Sequence, residues 1–141
     1  MSHKSEKIAA MIQSFQGGEF DPHYLGFFKC FNQQQYFEAH EVLEELWLAQ
    51  RGKANGRFYK ALIQLAGAFV HIRKERRLPA IALFKLCDDN LSIYPSPHEA
   101  LDISKTRDMI RSWILVLETD AQFRSTLATR TWPNLRLEGS A

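Results

Sequence analysis

Apolar residues recur at three- and four-residue spacing along most of the chain, and glycine and proline cut the pattern into helix-length pieces. Lys4 to Phe15 reads as a weakly amphipathic helix ended by Gly17-Gly18. Asp21 followed by Pro22 forms an N-cap and first-turn pair, opening a helix to Phe31 with Tyr24, Phe27, Phe28 and Phe31 on its apolar side. Tyr36 to Arg51 is the third helix, closed by Gly52. A fourth runs from near Asn55 to about Lys74, and a fifth from Pro79 to about Ile93. Pro95 and Pro97 enforce a loop, after which Asp102 or Ser104 opens a sixth helix ending near Glu118. From there to Ala141 the signals are mixed, with room for one short helix before an extended tail that docks through Trp132-Pro133. Sustained two-residue alternation is absent, so the expected class is all-α: a single-domain bundle of five or six helices.

The fourth helix is expected to be central. Its apolar residues, from Phe58 to Ile72, cover about two-thirds of the circumference, which suits a helix enclosed by others. Gly67 costs helix propensity, so its missing side chain is expected to admit a close neighbour. The remaining polar stripe places Gln64 and His71 on one side.

The third helix departs from simple amphipathicity. Tyr36, Ala39, Val42, Leu43, Leu46 and Trp47 make its core face, while Phe37 and Leu48 interrupt the sector that holds His40, Glu41 and Glu44. That interruption implies an acidic face partly covered by another element. Buried carboxylates need partners. His40 can meet Glu44, Glu41 can meet Glu38 and Glu44, and Gln64 and His71 are candidate partners from the next helix. Three readings of this cluster stand: a structural polar core, a site for a small ligand, and a metal site. In the last, His40-Glu41-Val42-Leu43-Glu44 is an HExxE variant of the HExxH helix, with His40, Glu44 and His71 as ligands and Glu41 as general base. No cofactor is otherwise expected.

Composition narrows the alternatives. The 141 residues suit one domain, with 45% hydrophobic and 24% charged residues and ten Phe for an aromatic core. Basic and acidic residues balance at seven each up to Val70 and stand eleven to nine after it. The one basic run, Arg73 to Arg77, ends a helix, where cations offset the carbonyl end of the dipole; no nucleic-acid partner is expected. Cys30 and Cys87 lack metal spacing, and Cys87 shares a stripe with Ala80, Phe84 and Leu91 that buries it. With neither a signal-like apolar stretch over Met1–Gln16 nor an 18-residue apolar run, the expectation is a cytoplasmic protein without a membrane partner; a homo-oligomer stays open. His3, His23 and His98 are assigned to solvated positions. Phosphate-binding loops, paired Glu-x-x-His helices and a nucleophile elbow are absent.

Phe31-Asn32, Tyr36 to Trp47 (YFEAHEVLEELW), then Leu62-Ile63-Gln64-Leu65-Ala66 and His71 carry a resemblance. The chain resembles the prokaryotic family catalogued as domain of unknown function 309, over about Phe20 to Leu117, with Ala61 standing where the family pattern has glycine. The helix 4–15 and the tail 119–141 then read as extensions. The resemblance implies a compact helical domain with the two signature helices packed together, and no activity. Its polar signature falls on Glu38, His40, Glu41, Glu44, Gln64 and His71, with Trp47 as aromatic anchor. The function expected is a non-enzymatic binding or structural module; the alternative is a metal-dependent hydrolase.

Overall fold

A computed structural model describes residues 3–119 and 131–139. Among the described residues six α-helices follow one another: α1 (His3–Ile12), α2 (Pro22–Asn32), α3 (Tyr36–Gln50), α4 (Gly56–Arg73), α5 (Arg77–Leu91) and α6 (Ile103–Thr119). Among the described residues the only β pairing is a pair of isolated bridges, His98 with Leu101 and Leu101 with Leu137. The protein is all-α, and no described helix is long and apolar enough to cross a membrane.

Local chemistry explains the boundaries. The Asp21 carboxylate accepts from the His23 backbone N–H at 2.8 Å, capping α2 with Pro22 in its first turn. Asp102 caps α6 in the same way, accepting from Lys105 N at 2.9 Å. After Ile12 the first helix tightens into a 3-10 turn, Gln13–Phe15. The fifth helix starts two residues before Pro79 and stops at Leu91, short of Ile93. Pro79 is thus the third helical residue, where a missing N–H is still harmless because first-turn donors have no intrahelical acceptor. The short helix expected after Glu118 falls on residues 120–130, outside the described residues, as does the side chain of His3.

Short connections make chain neighbours into spatial neighbours, and α4 lies between α3 and α5. It is buried from Phe58 to Ile72 except for Lys60, Gly67, Val70 and His71, as its wide apolar arc predicts. A hypothetical methyl on Gly67 would lie 3.1 Å from Leu83 Cδ1 of α5, so this glycine does admit a close neighbour. The core is aromatic. Phe27, Phe31, Tyr36, Phe69, Phe84 and Trp113 pack edge-on or stacked at centroid distances of 5.1–6.2 Å. Cys30 and Cys87 are buried free thiols, and burial pushes both above the ordinary thiol range.

A strap, residues 131–139, closes the bundle. Trp132 stacks on Trp113 at 6.2 Å and meets Tyr36 and Phe69, with the Arg73 guanidinium over its ring. Leu135 and Leu137 are buried, with Arg136 exposed between them.

Candidate functional site

The signature residues divide among three surfaces. On α3, the buried face is Tyr36, Ala39, Val42, Leu43 and Leu46. Helical spacing then turns Phe37, His40, Glu44 and Leu48 together toward solvent. His40 Nε2 lies 3.2 Å from Glu44 Oε2, so these two pair with each other one turn apart. Phe37 and Leu48, expected beneath a covering element, are 56% and 50% exposed. The covering occurs on the adjoining flank instead. There Glu41 meets Lys7 of α1 at 3.5 Å, and Glu45 meets His23 of α2 at 3.1 Å. Glu38 is half-buried on this flank, where it helps raise the Cys30 thiol. Trp47 carries Lys60 over its ring at 4.4 Å and Arg51 at 5.5 Å. Two cations on one indole make a compact cation–π group.

Gln64 turns to α5 rather than to α3. Its Oε1 accepts from Asn90 Nδ2 at 2.8 Å, and Asn90 Oδ1 in turn accepts from Arg57 Nε at 2.8 Å. Gln64 and Asn90 therefore form an amide pair between α4 and α5. His71, on α4 as expected, is half-buried near the end of that helix, and its Nδ1 is buried without a hydrogen-bond partner. Desolvation, with Arg76 and Lys74 adding repulsion, holds its imidazole below the usual histidine range. Among the described residues no three His, Cys, Asp or Glu side chains converge closely enough to share a metal ion, so His40 and Glu44 pair without His71.

Tyr36 is the anchor of the motif. Its ring stacks on Phe69 at 5.1 Å with the Arg73 guanidinium above it, and burial pushes its hydroxyl up to about 12 against the opposing charge of Arg73. Arg73 also donates to the Gln34 carbonyl, and Arg77 to the Leu117 carbonyl at 2.8 Å. Two cations of the basic run therefore tie chain segments together, which is more than the helix-end role read from sequence.

Two histidines expected in solvent are engaged. His23 Nδ1 lies 2.9 Å from Asp21 while its Nε2 faces Glu45. His98 Nε2 lies 2.8 Å from Asn55 Oδ1, with its ring against Phe58 and Tyr94 at 4.8 and 4.6 Å. Beside it Glu99 and Ala100 hold positive φ angles of 47° and 61°, and Tyr24 donates to the Glu99 carbonyl at 2.8 Å. Loop histidines have no periodicity to place them; the two prolines around Ser96 were the available signal of an ordered loop.

Comparison with known proteins places this geometry in a family context. Residues 24–83, less than half of the chain but covering most of α2, all of α3 and α4 and the start of α5, match the family described as "Domain of unknown function (DUF309)". The chain is also 29% identical over 99 residues to "Uncharacterized protein YpuF" of Bacillus subtilis (strain 168). That alignment takes 67% of this chain and 55% of the relative, so the chain spans about half the length of the curated relative it matches. No solved structure matches. The resemblance carried by the Tyr36–Trp47 motif is therefore shown: over residues 24–83 the chain matches the family catalogued as domain of unknown function 309.

Proposed function

We propose that this chain is a non-enzymatic docking module, working in the cytoplasm without a cofactor, whose partner-facing surface is the outer face of α3. The observation that carries the reading is the half-exposure of Phe37 and Leu48 on one face, with His40 and Glu44 paired between them. Burying a side chain of this size contributes about 1.5–3 kcal/mol, which two half-exposed residues largely forgo until something covers them. Trp47 under Arg51 and Lys60 borders the face with aromatic and Arg chemistry typical of interface centres. Acid–base work draws no support from Glu41 and Glu45, which point to different partners on the adjoining flank.

The test compares the full chain with a Phe37→Ser/Leu48→Ser variant, using a partner identified by retention and then reconstituted from purified components. The expected result is a fixed-stoichiometry complex that the variant loses while its Tm stays within about 3 °C of the parent. A variant that binds the reconstituted partner equally well overturns the proposal. So does metal-dependent hydrolysis by the parent that disappears in Glu41→Gln, which is the outcome the hydrolase alternative requires.

A further inference from the structure

The 131–139 strap is held as a peptide ligand is held. The side-chain amide of Asn32, at the end of α2, accepts from Leu135 N and donates to Leu135 O, both at 2.8 Å. This is the two-way exchange a neighbouring β-strand would offer, and it reads main chain rather than side chain. Glu138 N donates to Ala100 O at 2.6 Å, continuing the pairing. Alternating burial of Leu135 and Leu137 around Arg136 is the period of an extended segment, and Trp132 fills an aromatic slot upstream.

Two features mark the strap as an imperfect occupant. First, the groove is incompletely filled. Cavities of about 540 Å³ and 380 Å³ lie on either side of Asn134–Leu137, the larger against Leu101, Lys105 and Met109 and the smaller against Phe15, Leu25 and Phe28. Second, the charge is mismatched. Arg136 lines both cavities, with Lys105 on the wall of one and Lys29 on the wall of the other. Of the acids, Asp102 beside Lys105 is committed to capping α6, and the strap's own Glu138 lines the larger cavity only, leaving Arg136 beside Lys29 with no carboxylate on the lining of the smaller. The clamp Asn32 and the slot residues Tyr36, Phe69 and Arg73 all lie within residues 24–83, whereas the strap lies outside that match.

We infer that the groove between α2 and α6 is a docking site for an extended peptide of a partner protein, with the strap as its resident, displaceable occupant. The peptide has the chemistry Trp-Pro-x-large apolar-acidic-large apolar. Its main chain takes the Asn32 clamp, its larger side chains fill the two cavities, and its carboxylate replaces Arg136 between Lys29 and Lys105. The inference uses residues other than those of the α3 face and does not depend on the reading above.

The probe is a fluorescent peptide of the 131–139 sequence carrying Leu135→Phe, Arg136→Glu and Leu137→Phe, titrated by anisotropy into the full chain. Saturable binding at least tenfold tighter than that of the unaltered 131–139 peptide is expected, weakened at least tenfold in an Asn32→Ala chain. Absence of saturable binding, equal affinity of the two peptides, or indifference to Asn32→Ala overturns the inference. A readout on the parent chain alone guards against a misfolded variant. The Leu135 and Glu138 amides should exchange with deuterium at least tenfold faster than those of α4; exchange as slow as that of α4 would mean the strap leaves only on global unfolding, and the site would be part of the core. Sedimentation showing a dimer that Asn32→Ala dissociates would assign the groove to a second copy's strap and overturn the partner peptide.

Discussion

The same substitution should have opposite signs at two helical glycines. Glycine in a helix interior costs about 1 kcal/mol relative to alanine, so a methyl that fits is a gain. At Gly67 the methyl would meet one atom, Leu83 Cδ1 at 3.1 Å, the far end of a half-buried side chain that can rotate outward. Gly67→Ala is therefore expected to stabilise by up to about 1 kcal/mol, raising Tm by roughly 3 °C for a domain of this size. At Gly26 the methyl would meet Ile12 Cγ2 at 3.0 Å and Val42 Cγ1 at 3.1 Å. Both neighbours are buried, at 4% and 0% exposure, and both are β-branched with little χ1 freedom. Relief there requires α1 or α3 to move. Overpacking of this kind costs about 1–3 kcal/mol, which leaves a net loss of up to about 2 kcal/mol after the propensity gain. Gly26→Ala should therefore lower Tm, by up to roughly 6 °C. Thermal melting by circular dichroism reads both. A Gly26→Ala chain melting at or above the parent, or a Gly67→Ala chain falling further than Gly26→Ala, would refute the argument that neighbour stiffness sets the sign.

Two further predictions concern the signature residues on α4. Because the folded state holds His71 below its ordinary value of 6.5, the unfolded chain takes up the proton first, and stability should fall as pH drops from 7 toward 5. His71→Gln should flatten that part of the Tm–pH curve; an unchanged curve would assign the loss to other groups. The Gln64–Asn90 pair should show a coupling of about 1 kcal/mol in a cycle of Gln64→Ala and Asn90→Ala measured by urea unfolding, because either single change strands a partner. A coupling near zero would show that the amide pair does not help join α4 to α5.

The helices were legible because their causes are local. Core spacing, the Asp21-Pro22 cap, Gly52 and the paired prolines each act within a few residues, and the wide apolar arc of α4 announced its place between two neighbours. The same arithmetic put Gln64 and His71 on one side of α4 but could not say which helix faces that side. Tertiary packing sent Gln64 to Asn90 of α5 and left His40 with Glu44. It also decided that Phe37 and Leu48 stay half-exposed, since a helix position is buried only if another element lies over it, and no local pattern specifies that element. Asn32 shows the limit most plainly. In the sequence it was one letter of a motif, and its bond to Leu135, 103 residues away, exists only because the whole bundle brings the two together.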